Sequence, residues 1–297
     1  MLPPHIKTAA DLVTSPQQTQ KGFLIQALRK TKEAAPYIEQ AAALSAHLEE
    51  ATDIDAALKV EAIQDELVAA AGFSDKATKY FSPAELQEAL GKVIAEIKAN
   101  AGAGWKDEIT YRYLLTKGDS LGGSMRNIVG SAAGIMFNES LIRALDAKGI
   151  KALVERSRTN QEKTQAIGWE HRHILFDMKS PIVGNSIDAI LLDTTSFAGS
   201  PAKLLTHPER YLACGELKGG IDPAGADEHW KTARSALERI RTAFKDKPPQ
   251  LFFVGVAIES AMAREIFGQL NDGRLTYAAN LLSEQQLTGL SAWLVSI

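Results

Sequence analysis

GELKGGIDPAGADEHW, residues 215–230, joins a strand-like run to the start of a helix. Glu216 and Lys218 are two residues apart in that run, and because strand side chains alternate between faces, both lie on the same face. A carboxylate can hold a hard divalent cation, and a neighbouring lysine can orient water or offset negative charge that develops at phosphorus. The stretch therefore predicts a sheet that carries a metal-dependent hydrolytic site.

A second carboxylate is expected from a neighbouring strand. Asp188 interrupts the apolar run SIDAILLD, residues 186–193, and a buried acid is costly unless it is paired or binds metal. Only 16 residues separate this run from the strand-like run 210–218, so the two are expected to pair as neighbours. Asp193 is the alternative acid, at a strand end where aspartate often starts a turn.

The run from Glu216 to Lys231 resembles the catalytic stretch of the AvaI/BsoBI-type restriction endonucleases, type II enzymes of the PD-(D/E)XK superfamily. The spacing agrees, because Asp188 lies 28 residues before Glu216 and His229 lies 11 residues after Lys218. The resemblance extends over residues 186–243 and is weaker over 117–138.

This resemblance implies that Asp188 and Glu216 bind metal, that Lys218 completes a triad and that His229 lies near the attacking water. Ile187 stands where the family signature has proline. Since His229 lies close to a predicted helix N-terminus, a neutral imidazole able to accept a proton is favoured there. The alternative is a histidine that only caps or packs. Two nearby acids are expected in turns and caps: Asp222 and Asp227.

A second segment, KGDSLGGSMRN at residues 117–127, is interpreted as a glycine loop followed by a helix that begins at Ser124. Backbone amides at such a helix N-terminus favour an anion, and the GxxxxGK[ST] phosphate loop is absent. The alternative is a plain loop between helices. The predicted DNA-binding residues are Lys117, Gly122, Gly123, Ser124, Arg126 and Asn127.

Three further features are open to two interpretations. Glu139 could supplement the metal ligands or be an exposed helix acid. A basic cluster could contact phosphates or be a solvated face; it consists of Lys148, Lys151, Arg156, Arg158, Lys163 and Arg172. His171 and His173 have no partner cysteines for zinc and are expected to pack or border the cleft. The tryptophans Trp169 and Trp230 are expected in the core.

Organisation along the chain differs between its two parts. Residues up to about 165 have helical composition, with a capping box at Ser82 and a break at residues 101–104. The predicted domains are an N-terminal helical region, 1–105, and a nuclease domain, 106–297, with its core at about 170–280. The predicted fold class is α/β (α+β), a restriction-endonuclease-like mixed β-sheet flanked by helices with a large N-terminal helical region.

The composition of the chain indicates the cellular compartment in which it would function. The 297 residues contain one cysteine, Cys214, so the chain can form no internal disulfide, as expected in a reducing bacterial cytoplasm. The start of the chain lacks the pattern of a secretory signal, and no apolar run reaches the ~18 residues of a membrane span. The net charge of −3 counts mildly against a protein that coats nucleic acid nonspecifically and permits a local basic cleft.

The sequence and the resemblance together predict a type II restriction endonuclease that hydrolyses duplex DNA with Mg²⁺. A short palindromic or pseudo-palindromic site implies a homodimer, in which the N-terminal helices help the dimer form or embrace DNA. Such an enzyme also implies a cognate DNA methyltransferase in the host. The alternatives are a structure-selective repair or recombination nuclease of the same fold, and a catalytically inactive DNA-binding protein.

Overall fold

The computed structural model describes the chain except for Met1, Asp75, Asn160, Glu162 and Asp246, and except for the side chains of residues 126–131. The described chain forms two compact units. The sheet unit comprises residues 1–24 and 127–297, and the helical unit comprises residues 25–126. The division at residue 105 that the sequence suggested stays a prediction.

The helices occupy most of the N-terminal half and alternate with strands after residue 211. Their bounds are α1 Pro16–Glu50, α2 Ile54–Leu58, α3 Gln64–Ala70, α4 Pro83–Ala101, α5 Trp105–Asp146, α6 Ala226–Phe244, α7 Ser260–Asn271 and α8 Glu284–Ser296. Helix α1 begins in the sheet unit and α5 ends there. No described helix combines the length and the apolar character that crossing a membrane would require.

Seven strands within the described residues form one mixed sheet in the order β1 to β7. Their bounds are β1 Leu153–Arg156, β2 Thr164–Trp169, β3 Arg172–Lys179, β4 Ser186–Asp193, β5 Tyr211–Lys218, β6 Gln250–Gly255 and β7 Tyr277–Asn280. Strands β1 to β5 pair antiparallel, whereas β5–β6 and β6–β7 pair parallel. The class is α+β, as predicted.

Each face of the sheet is covered by helices, because strand side chains alternate between two apolar clusters. One cluster joins residues such as Ile190 and Cys214 to α6 and α7. The other joins residues such as Leu191 and Ala213 to the end of α5 and to α8. Asp188 and Glu216 share their position in the alternation with the first cluster, so they lie on the face that α6 and α7 cover.

The helical unit has its own core, built from α1 to α5 around residues such as Leu44, Leu67 and Tyr113. The capping box at Ser82 is confirmed, since its hydroxyl accepts from the Glu85 amide and the Glu85 carboxylate accepts from the Ser82 amide. The predicted break is confirmed: Gly102 adopts φ 59°, a positive value that ends α4 and that glycine tolerates best.

Two expectations for residues 117–165 are wrong. Helix α5 runs without interruption through 117–127, so the glycines lie inside a helix rather than in a loop before one. Residues 149–165, expected to be helical, contain the edge strand β1 and the start of β2. Helix α5 instead ends before Gly149, which adopts φ 70°.

Candidate active site

The predicted pairing of the two acid-bearing strands is confirmed. In β4 and β5, Ala189 pairs with Gly215, so the antiparallel register places Asp188 opposite Glu216. Directly opposed residues of an antiparallel pair lie on the same face with their Cβ atoms about 5 Å apart. The two carboxylates therefore project side by side from the end of the sheet where β4 begins and β5 ends.

Lys218 joins both acids. Its Nζ donates to Glu216 Oε2 at 2.8 Å and to Asp188 Oδ2 at 3.2 Å. The side chains of Lys218 and Glu216 are 18% and 5% exposed, and that of Asp188 is 32% exposed. One cation thus serves two carboxylates in a largely buried setting, which leaves the cluster with a net negative charge.

Burial and charge shift the protonation of the cluster. The pKa of the Glu216 carboxyl is raised to about 7, first because burial penalises its charged form and second because of the Asp188 charge, while Lys218 opposes the shift. Burial also disfavours the Lys218 ammonium, but its two carboxylate partners outweigh that effect and raise its pKa. Lys218 is therefore a cation at neutral pH.

The donor set fits a small hard cation. Mg²⁺ is commonly held by one or two carboxylates, with water and substrate phosphate oxygens completing its coordination. Above the raised pKa of Glu216, Asp188 and Glu216 provide two carboxylates within reach of one ammonium, with one negative charge uncompensated. Among the described residues, no group of three or more His, Cys, Asp or Glu could hold a metal, so the site has no closed protein cage.

His229 lies in the first turn of α6, where the sequence placed it, and its side chain is exposed. The imidazole lies over the loop that follows Lys218: a Cβ added to Gly220 would be 2.5 Å from His229 Nε2. At Gly225 the same construction gives 3.6 Å, an ordinary contact. Gly220 therefore leaves room for the imidazole two residues beyond Lys218.

The residue after His229 anchors α6. Trp230 is 1% exposed, its Nε1 donates to Glu265 Oε2 on α7 at 2.8 Å, and its ring packs edge-on against Phe253. The expectation that Trp230 and Trp169 belong to the core is confirmed. Asp222 accepts from the Ala224 amide at 3.0 Å, which is the turn role expected of it.

Glu139 is not brought to the carboxylate pair. It lies on the exposed side of α5, and its Oε2 is 3.9 Å from Arg143 one turn later. Since no described group of three acids could share a metal, the structure offers no support for Glu139 as a ligand. That role stays a prediction.

The segment 117–127 belongs to α5, so the helix N-terminus expected at Ser124 does not form. Gly122, Gly123 and Ser124 are exposed along the helix, and the Ser124 hydroxyl donates to the Leu121 carbonyl at 3.0 Å. Lys117 Nζ lies 5.7 Å from the ring centroid of Tyr113. Their DNA contacts stay a prediction, and the side chains of Arg126 and Asn127 lie outside the described residues.

The basic cluster divides between the two ends of the sheet. Arg156, Arg158 and Lys163 surround the β1–β2 connection, at the end that carries Asp188. Lys148, Lys151 and Arg172 precede β1 or begin β3 at the opposite end. Arg172 binds the Asp193 carboxylate at 3.0 Å and the Ile297 carbonyl at 2.9 Å.

Of the two histidines near this region, His173 packs within the sheet and His171 is exposed. His173 lies on β3, and a Cβ on Gly168 would be 2.5 Å from its Nε2. Burial lowers the pKa of His173, so its imidazole is neutral at pH 7. His171 is exposed in the turn before β3. No described residues around either histidine form a metal-binding group.

Two contacts of the site could not be predicted from the sequence. The Leu217 amide donates to Asp188 Oδ2 at 2.8 Å, which ties β4 to β5 through a side chain. Gly22 on α1 packs directly against Ile221, within the loop between β5 and α6. The glycine pair in residues 219–220 was visible in the sequence, but the residues that pack on this loop depend on register and tertiary packing.

A family model and two curated relatives resemble this chain over nearly its whole length. A family model described as restriction endonuclease BsobI matches residues 3–297. The chain is 40% identical over 314 residues to the type II restriction enzyme BsoBI of Geobacillus stearothermophilus, covering 99% of this chain and 97% of that protein. It is also 40% identical over 311 residues to the type II restriction enzyme AvaI of Nostoc sp., covering 99% and 98% of the two chains. The chain therefore belongs to the BsoBI restriction endonuclease family.

Proposed function

We propose that the chain is a type II restriction endonuclease that uses Mg²⁺ to hydrolyse phosphodiester bonds of duplex DNA at a short, specific site. The observation that carries the proposal is the shared ammonium of Lys218, which holds Asp188 and Glu216 side by side at one end of the sheet. Family membership adds the reaction class, and the surplus negative charge of the cluster supports the metal.

Asp188 and Glu216 would hold Mg²⁺, which when bound supplies positive charge to a phosphoryl oxygen and makes water more acidic. Lys218 keeps its proton, because its carboxylate neighbours raise its pKa. It would therefore act as a fixed cation that orients the attacking water and offsets charge at the phosphorus, rather than as a base.

The proton of the attacking water needs an acceptor. His229 is exposed, lies over the loop after Lys218 and carries a ring nitrogen that can accept a proton. We assign His229 this role as part of the proposal. The contact with Gly220 supports it, since the loop leaves space for the ring directly beyond the triad lysine.

The proposal extends to partners. A palindromic or pseudo-palindromic target implies a homodimer with two-fold symmetry, each protomer cutting one strand. The helical unit would serve dimer formation or surround DNA. The host would supply a cognate methyltransferase that protects its own DNA, and the enzyme would act in the bacterial cytoplasm.

Digestion of unmethylated phage and plasmid DNA with Mg²⁺ tests the function. We expect discrete fragments from the wild type and none from Glu216→Ala or Lys218→Ala. Glu209→Ala is the matched control, because Glu209 is an exposed acid, 66% accessible, on the segment before β5. It should cut at the wild-type rate, and sequencing of fragment ends gives the target.

Other patterns would contradict the proposal. A smear, or cleavage of branched DNA alone, would indicate a structure-selective repair or recombination nuclease. Failure to cut with Mg²⁺ or Mn²⁺, together with undiminished DNA binding, would indicate a binding protein. Retained cleavage in Glu216→Ala would remove Glu216 from the active site.

A further inference from the structure

A single line of residues crosses the sheet from its β1 edge to the catalytic carboxylates. Arg156 pairs with Thr164 across a register shift, and Ala166 pairs with Leu175, which aligns Thr164 with Asp177. In β3 and β4, Phe176 pairs with Ala189, which aligns Asp177 with Asp188. Arg156 and Asp188 therefore belong to one transverse row, separated by three strand spacings.

This separation matches the dimensions of a DNA backbone. Neighbouring strands lie about 4.8 Å apart, so Arg156 lies about 14 Å from Asp188 along the row. A DNA strand advances about 3.4 Å per nucleotide along its axis, so this span corresponds to roughly four nucleotides. A duplex whose scissile phosphate meets Asp188 and Glu216, and which follows this end of the sheet, passes the β1–β2 hairpin.

The hairpin presents its charge outward. Arg156 and Arg158 are exposed, and the Ser157 amide donates to the Lys163 carbonyl at 2.8 Å to close the hairpin. Arg156 Nη1 donates to the Gln161 carbonyl at 3.1 Å, which leaves other guanidinium donors available. Among the described residues, Arg158 has no acidic partner. Guanidinium groups bind phosphate through paired donors.

The cations at the other end of the sheet do not share this geometry. Leu153 pairs with Gly168, which aligns the start of β1 with His173 and Leu192 rather than with Asp188. Lys148 and Lys151 precede that point in the chain and are also exposed. The two pairs of cations therefore have the same charge but lie at opposite ends of one strand.

We propose that Arg156 and Arg158 bind phosphates of the duplex roughly four nucleotides from the cleaved bond, estimated from strand spacing and helical rise. The inference rests on the proposed function and assigns the DNA path along the sheet. It makes the β1–β2 hairpin a phosphate clamp that sets the position of the substrate without reading its sequence.

Salt dependence of DNA binding tests the clamp. Each phosphate contact contributes about −0.9 to the slope of log affinity against log salt concentration, so losing two contacts reduces its magnitude by about 2. The variants are Arg156→Ala/Arg158→Ala and the control Lys148→Ala/Lys151→Ala, which have equal net charge. Binding of a fluorescent 30-base-pair duplex is measured in chelator, where cleavage cannot interfere.

We expect the reduced slope for the arginine variant alone, with the wild-type slope in the control. The variant Arg156→Lys/Arg158→Lys should recover most of the slope because it keeps both charges. Circular dichroism establishes that each variant is folded. Arg158→Ala alone disturbs no described hydrogen bond, and it should reduce the magnitude of the slope by about 0.9, half of the reduction in the double variant.

A wild-type slope in the arginine variant would overturn the clamp while leaving the proposed function intact. Equal reductions in both would also overturn it, since net charge rather than position would then control binding. A wild-type protein that fails to bind or cut DNA would instead contradict the proposed function, and the clamp with it.

Discussion

Asp188 accepts a hydrogen bond of 2.8 Å from the backbone amide of Leu217, on the neighbouring strand. That amide lies between Glu216 and Lys218 in sequence, so the contact fixes the first carboxylate against the strand that carries the other two groups. This hydrogen bond needs only an acceptor, which an asparagine could also provide, whereas the charge of Asp188 meets the Lys218 ammonium at 3.2 Å.

Asp188→Asn should separate these two roles. The asparagine oxygen can accept from Leu217, so the melting temperature should stay within a few degrees. Loss of a metal ligand removes several kcal/mol of transition-state stabilisation, so cleavage should fall by about 10³-fold or more. Cleavage rates and thermal melts of the purified variant are the measurements.

Asp193→Asn is the control and tests the alternative acid. Asp193 lies at the other end of β4, and its carboxylate is bound by Thr195 and by the side chains of Arg172 and Arg210. This variant should cut DNA normally but lose stability. Normal cleavage by Asp188→Asn together with inactive Asp193→Asn would exchange the two assignments.

Lys218→Met should destabilise the metal-free protein. It leaves two carboxylates side by side without their cation, and breaking a buried ion pair costs about 3 kcal/mol in free energy of unfolding. Urea unfolding at pH 8 measures the loss, and Mg²⁺ should restore part of it by replacing the missing charge. An unchanged urea midpoint would show that the ion pair contributes nothing to the fold.

The free energy of unfolding in chelator should also depend on Glu216. Its pKa rises from an ordinary 4.5 to about 7 on folding, so the folded protein holds this proton more tightly than the unfolded chain does. Its contribution is therefore fully present below pH 4.5 and is lost as pH rises through about 7. Urea unfolding across pH 4.5–8 should show this decline in the wild type.

Glu216→Gln provides the comparison, because it cannot ionise. The difference in unfolding free energy between wild type and variant should change across the pH window between the two Glu216 pKa values and level off above it. Parallel curves throughout would mean that the folded protein does not shift the pKa of this carboxyl. Mg²⁺ should stabilise the wild type more at pH 8 than at pH 6, since binding requires the carboxylate.

Gly220→Ala should lower activity by displacing the His229 ring. Its new Cβ would lie 2.5 Å from Nε2 of an exposed side chain, which can move away without disturbing the core. General base catalysis contributes about 10²-fold or more, so Gly220→Ala and His229→Ala should each reduce kcat by about this factor. Their combination should reduce it no further.

Gly225→Ala is the matched control for the comparison of Gly220→Ala, His229→Ala and the double variant. Its Cβ would make an ordinary 3.6 Å contact with the same nitrogen, so kcat should stay near the wild-type value. If the effects of Gly220→Ala and His229→Ala multiply, the glycine acts independently of the imidazole, and crowding of His229 does not explain its effect.

Alternation and pairing made most of the Asp188, Glu216 and Lys218 cluster predictable. Glu216 and Lys218 share a face in any regular strand, and Asp188 stands out as an acid within an apolar run. The short connection between β4 and β5 then brought the strands together as neighbours. Sequence could not supply the Leu217 hydrogen bond, because it depends on the rotamer of Asp188 and the local register.

Helix α5 and strand β1 show where local patterns mislead. Glycine inside a helix costs about 1 kcal/mol relative to alanine, which favours a loop at 117–127, but buried neighbours such as Leu121 and Met125 stabilise a continuous helix. All four residues of β1 are exposed, so the strand lacks the alternation that would have revealed it. Its formation depends on backbone pairing with β2.

The anchoring of Trp230 has a consequence for the temperature range of the enzyme. His229 is one peptide bond from a fully buried indole that is hydrogen-bonded to α7 and packed on Phe253, the β6 partner of Glu216. The buried indole therefore holds the first turn of α6 against the core. Heat inactivation should therefore coincide with global melting, with no lower-temperature phase in which the protein stays folded but has lost the alignment of its imidazole.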